Sequence, residues 1–210
     1  MIIKSLTVGP IMANCYIVGC ERTKHAAVID PGDEAARILT TLSESRLTLT
    51  YILNTHGHFD HVGANKPLKD ATGAQILIHE ADAPMLTHIS AMAAGMGMSI
   101  ENSPPPDRTL SDGDAISVGD IVLTVIHTPG HSPGGVSFYT DGVVFAGDTL
   151  FAGSVGRTDF PGGDFNLLKN SIQKRLFALE DHVVVYPGHM GETTIGMEKK
   201  YNPFVGLGGF

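Results

Sequence analysis

The chain has 210 residues, 42% hydrophobic and 17% charged, the composition of an ordinary globular protein long enough to bury a sizeable core. Its 14 Lys and Arg stand against 22 Asp and Glu, a formal charge of -8, and no basic run exceeds Lys199-Lys200, which argues against nucleic acid as a partner. The opening MIIKSLTVGP is too short and interrupted an apolar stretch for a signal peptide or membrane span, so a cytoplasmic location with no membrane partner is expected.

In chain order, β-branched apolar runs bounded by glycine-rich turns predict strands over Ile2–Val8, Asn14–Val18, Ala26–Asp30, Tyr51–Thr55 and Gln75–His79. Further strands are predicted over Ile121–His127, Val136–Tyr139, Val143–Gly147 and Val183–Tyr186. A first helix follows Asp33 as cap, because Ala35, Ile38, Leu39 and Leu42 share one helical face. A second starts near Asn65, with Pro67 in its first turn. A third follows Asp164, with Phe165, Leu168, Ile172 and Leu176 on its buried stripe. Helices early, strands throughout and helices again late fit two sheets packed face to face with helices outside, in one domain over residues 1–210. The segment Ala81 to Arg108 holds four of the eight methionines and Pro104 to Pro106. It reads as an adaptable helix packed on the core and closed by a stiff loop, or alternatively as a Met-lined cover over a cleft. Cys15 and Cys20, an odd number of residues apart, would point to opposite faces of a shared strand, so they read as buried thiols.

The stretch Thr55 to His61, THGHFDH, packs three histidines and an aspartate into a turn leaving the apolar run Tyr51-Ile52-Leu53. These nitrogen and oxygen donors suit zinc, iron or manganese, and four in so short a span are better shared by two ions than crowded on one. Further donors follow other apolar runs: His131 in TPGHSPG, Asp148 after VVFAG, and His189 in YPGH. Seven donors on four strand ends suffice for two ions. His25, His79, His88, His127 and His182 lack this context and read as ordinary core or surface side chains.

In that order, His56-x-His58-x-Asp60-His61, His131, Asp148 and His189 resemble the metallo-β-lactamase superfamily of binuclear hydrolases. The motifs NCY (Asn14 to Tyr16), VIDPG (Val28 to Gly32), TPGHSPG and AGDTLF carry the likeness along nearly the whole chain. The resemblance implies an α+β, four-layer αββα sandwich. It also implies one ion on His56, His58 and His131, another on Asp60, His61 and His189, and Asp148 bridging both. The ions expected are two divalent metals, zinc first, with iron or manganese as alternatives.

Within the superfamily, GDTLFAGSVGRTDFPGGD and TTIGMEKKYNPF are similar to short bacterial glyoxalase II-like proteins, the hydroxyacylglutathione hydrolases. That likeness implies hydrolysis of a small-molecule thioester, one linked to glutathione in the long enzymes, whose extra helical domain has no counterpart after His189 here. Asp60 is then a ligand with a secondary catalytic role in orienting water or relaying its proton. Asp30 is either an acceptor for a ligand's imidazole N–H or a plain turn residue. Arg157 is either a contact for a substrate carboxylate or an ion-pair partner of Asp159. Lys199, Lys200 and Asn202 are either a remnant of the glutathione-side wall, with Lys199 a substrate contact, or a solvated tail. The rival readings are a mononuclear-iron persulfide dioxygenase, which shares a similar GRTDF stretch, and a non-catalytic metal-binding module. β-Lactamase and nuclease activities fit less well, for want of an export signal, a cysteine near the other donors or an inserted domain.

Overall fold

The structure, a computed structural model, describes residues 1–95 and 97–208. The first sheet is built from β1 (Ile2–Val8), β2 (Ala13–Gly19), β3 (His25–Ile29), β4 (Thr48–Leu53), β5 (Gln75–His79) and β6 (Arg108–Leu110), lying side by side in that order. Its first three strands are antiparallel; β3 to β6 run parallel, joined by crossovers that carry helices. These helices are α1 (Ala35–Glu44), the single turn α2 (Phe59–Val62), α3 (Asn65–Thr72), and a 3-10 turn (Ala83–His88) running into α4 (Ile89–Ala94).

The second sheet uses β7 (Ala115–Val118), β8 (Ile121–His127), β9 (Val136–Thr140) and β10 (Val143–Gly147). After the small hairpin β11 (Leu150–Phe151) and β12 (Ser154–Val155) comes α5 (Phe165–Lys174), and then β13 (Val184–Pro187) and β14 (Thr193–Thr194) complete the sheet. Its order is β14-β13-β10-β9-β8-β7. The helix α6 (Ile195–Tyr201) follows. None of the described helices is long and apolar enough to cross a membrane.

Strand alternation builds the layers. On β2, Cys15 and Ile17 face the helices α1, α3 and α4, where Ile38, Leu42, Leu68 and Ile89 meet them, while Tyr16 and Val18 face the other sheet. Leu53, Leu77, Val125, Phe138 and Phe145 fill the space between the sheets. On β10, Val144 and Ala146 face outward against Leu168, Ile172 and Leu176. Because both faces of each sheet are covered, the central strands read as continuous apolar runs. The result is the αββα sandwich expected.

Several local expectations need correction. Asp33 does not cap α1: that position is held by Glu34 in a left-handed conformation (φ 55°) without a side-chain cap, and Asp33 Oδ1 accepts from Glu34 N instead. Phe165 starts α5 but is 40% exposed, since the buried stripe runs through Leu168, Ser171 and Ile172. The five short strands β6, β7, β11, β12 and β14 carry too few residues to show a period and exist by virtue of their pairing. Residues 195–202 form no solvated tail. Thr194 caps α6, and buried Asn202 donates to Ser154 O (3.0 Å) and Glu198 Oε2 (2.8 Å). The Ala81–Arg108 segment packs on the core through Leu86, Ile89 and Ala93, with Met98 partly buried; Met96 lies outside the described residues. Cys15 and Cys20 are both buried and free.

Candidate metal centre

Topology brings the donors together. β10 and β13 are parallel neighbours, and β8 runs in the same direction because two antiparallel steps, through β9, restore it. Asp148, His189 and His131 therefore emerge at one edge. The turn after β4 meets them from the first sheet, tied across by Val136 N to Thr55 O (2.8 Å). In that turn His58 is still extended, and α2 starts at once, so Asp60 and His61 project from its first turn beside His56 and His58.

Among the described residues three groups of three result, one joining Asp30, His56 and His61 and the other two matching the expected sites. His56, His58 and His131 have donor atoms all within 4.8 Å of one another, and so do Asp60, His61 and His189. Asp148 stands between them: Oδ1 is 3.4 Å from His61 Nε2, and Oδ2 is 3.6 Å from His131 Nε2 and 3.7 Å from His189 Nε2. All seven expected donors are thus gathered. A family model described as the metallo-beta-lactamase superfamily matches residues 8–189. The chain belongs to the metallo-β-lactamase superfamily.

Its relatives include the Haemophilus influenzae protein named hydroxyacylglutathione hydrolase GloC, 38% identical over 98% of both chains. Among solved structures, the BLEG-1 B3 metallo-beta-lactamase superposes with a TM-score of 0.91 at 37% identity, covering 97% of this chain and 99% of its own. TTHA1623, solved in a di-iron-bound form, gives 0.88 at 41% identity, with 96% of this chain and 99% of that one covered.

The residues of this metallo-β-lactamase centre fit a pair of ions. Among the described residues His56 Nε2, His61 Nε2 and Asp148 Oδ1 are buried without a hydrogen-bond partner, a costly state that a cation would relieve. The outer contacts leave the right atoms free. His131 Nδ1 donates to Arg157 O (2.6 Å), and His61 Nδ1 donates to Asp30 Oδ2 (3.1 Å). Thr55 Oγ1 gives its proton to Asp30 Oδ2 (2.6 Å) and so accepts from His56 Nδ1 (3.0 Å). In the neutral ring each of these contacts leaves the lone pair on Nε2, the arrangement that supporting contacts impose on metal-binding histidines.

Electrostatics divides the two halves. Burial, followed by the surrounding imidazoles, pushes His56 well down, and burial with His131 brings His58 to about 4. For His61 burial again favours the neutral ring, but Asp148, Asp60 and Asp30 outweigh it and raise the pKa to about 10. Burial would raise Asp60, yet His61 and His189 hold it far below the usual carboxylate range. In the metal-free state His56 and His58 are therefore neutral, whereas His61 is charged against the carboxylates of the second group.

Asp30 acts as the shared acceptor behind His56 and His61, at the cost of a left-handed backbone (φ 52°) that Asp tolerates better than most residues. Arg157 pairs bidentately with Asp159 (2.7 and 2.6 Å) and lies over the Phe160 ring, so its backbone oxygen, not its guanidinium, reaches the centre. Lys199 is held by Leu179 O (3.0 Å) and Asp181 (2.6 Å) and is not among the groups gathered around the ligands.

Other supports had no reading in the sequence. Asn14 and Tyr16, the polar ends of NCY, donate to Pro187 O (3.0 and 2.6 Å), fixing the segment that carries His189. Asn54 and Asn65 form a buried amide pair behind His61. Gly188 has no room for a Cβ, which would collide with Asp148 Oδ1 and His61 Cε1. A groove of about 200 Å³ opens beside Asp60, walled by Ile11, Phe59, Met98 and Ile100.

Proposed function

We propose that the chain is a binuclear metal-dependent hydrolase cleaving thioesters, with S-2-hydroxyacylglutathione or a related small-molecule thioester as substrate and a thiol and a 2-hydroxy acid as products. The observation that carries the binuclear part is Asp148, whose two oxygens face both groups of donors. The thioester part draws its support from the relative named hydroxyacylglutathione hydrolase. The donor set of five imidazoles and two carboxylates suits zinc first, and iron as well. His56, His58 and His131 would hold one ion, Asp60, His61 and His189 the other, with Asp148 shared. Bound there, the pair would supply Lewis acidity and bring the pKa of nearby water from near 16 toward about 7.

The chain's own groups do the rest. Asp60, kept ionised, is both a ligand and a carboxylate placed to orient a water by accepting its hydrogen bond. Asp30 and Arg157 O hold His61 and His131 to one tautomer throughout. The apolar groove beside Asp60 suits the acyl or thiol arm of a small substrate.

The test is elemental analysis of protein purified without chelators, run beside thiol release from S-lactoylglutathione and from simpler thioesters. Two ions per chain with thiol release are expected. Cleavage of simple thioesters alone would keep the chemistry and discard the glutathione arm. One iron with oxygen uptake on glutathione persulfide would replace the hydrolase by a dioxygenase, and metal without turnover would leave a binding module. The likeness to BLEG-1 favours a second reading, β-lactam hydrolysis, which a chromogenic cephalosporin assay tests directly.

A further inference from the structure

We propose that Asp82 is a positioning residue for the first metal site, clamping the two loops that carry its three histidines. This rests on the binuclear reading and not on the substrate. Asp82 has 0% exposure and precedes the 3-10 turn Ala83–His88, outside every donor group described above. Its Oδ2 accepts from Gly57 N (3.0 Å), the peptide between His56 and His58, and from Ser132 Oγ (2.7 Å). Its Oδ1 accepts from Gly134 N (2.7 Å). Ser132 directly follows His131, and Gly134 stands three residues after it in the same turn. One carboxylate thus reads the His56-Gly57-His58 loop on one side and the His131 loop on the other.

A buried carboxylate is costly unless its lone pairs are satisfied, and all three donors here are neutral. A structural cap would draw its donors from its own helix; none of these comes from there, and the turn has no side-chain cap bond. Both loops approach only because glycine stands at the contact. A Cβ on Gly134 would lie 2.7 Å from Asp82 N, and one on Gly57 2.8 Å from Met85 Cβ and 3.1 Å from Asp82 O. Three neutral imidazoles bring no negative charge to an ion. Beyond the shared Asp148, the second site has Asp60 as its own anion, and Asp82 places a carboxylate behind the loops of the first.

The experiment is stepwise zinc titration of metal-free Asp82→Ala, Asp82→Asn and Ser132→Ala proteins against a chromophoric chelator. The two steps are assigned with His58→Ala and His189→Ala, each of which removes one. Loss of a supporting contact of this kind typically weakens a metal by roughly 10- to 100-fold. We expect that fall for Asp82→Ala in the first-site step alone, a smaller one for Asp82→Asn, whose amide opposes one donor, and the smallest for Ser132→Ala. The second-site step stays unchanged in all three variants. Equal weakening of both steps would make Asp82 a general stabiliser, and unchanged steps in all three variants would remove the clamp; either overturns the proposal. If Asp82→Ala does not fold, the other two variants decide. A wild-type chain that shows only one step would instead sink the binuclear reading.

Discussion

At the scale of single residues, the centre is decided by which oxygen or nitrogen is left without a partner. Asp148 has one buried oxygen with no hydrogen bond and another facing His131 and His189, so it is the side chain whose loss affects both sites. Asp148→Ala is expected to lose metal and activity together; two ions and full turnover in the purified variant would refute its bridging role. Arg157 works differently, since its carbonyl holds His131 while its half-exposed guanidinium pairs with Asp159 (side chains 55% and 66% exposed). Truncation leaves the carbonyl in place. Arg157→Ala should therefore keep both ions and leave kcat and KM unchanged, as expected for an exposed ion pair. A raised KM would show that the guanidinium leaves Asp159 to meet the substrate.

At the scale of elements, the site depends on close approach between segments distant in sequence. Gly188, following β13, lies against Asp148 and His61, so a methyl group there must displace a ligand of each site. Gly188→Ala is expected to lower metal content below two per chain while the fold, read by circular dichroism, persists; full occupancy would show that the loop yields. The outer layer is held by more ordinary means. Asp164 Oδ1 accepts from Leu167 N (2.9 Å) and caps α5, whose Leu168 and Ile172 cover the second sheet. Removing such a cap costs about 1 kcal/mol, so Asp164→Ala should lower Tm by a few degrees and leave kcat alone. A fall in kcat would mean that α5 reaches the chemistry through Gly130, whose carbonyl accepts from Asp164 N.

At the scale of the whole molecule, the centre sets how stability follows pH. In the metal-free protein His58 is held down at about 4, so between its ordinary 6.5 and that value the unfolded chain binds the extra proton and stability falls with acid. Despite burial, the carboxylates raise His61 to about 10; its contribution is full below 6.5 and is lost as pH rises through 10. The metal-free protein should thus be most stable near pH 6.5. Metal must displace the His61 proton, so its stabilising effect grows over the same alkaline range. The gap in Tm between loaded and metal-free protein is expected to widen from pH 6.5 to about 9. A constant gap, measured by calorimetry in both states, would contradict the charged state assigned to His61.

Much of this molecule is written locally. The candidate donors of THGHFDH are neighbours in the chain, and each remaining one follows an apolar run through a glycine or proline turn. Strand alternation likewise announces layers, because a residue buried on either face of a sheet must be apolar wherever it falls. By itself the sequence therefore determined the candidate donors, the main strands and the sandwich. Only the tertiary structure decided what stands behind the donors: Asp82 between two loops, Asn65 against Asn54, the Arg157 carbonyl on His131, and Lys199 turned to Asp181. It also decided the shortest strands and the buried place of Asn202. The physical reason is common to all of them: a backbone oxygen has no residue type, and a lone Asp or Asn has no period, so its partner is set by long-range packing alone.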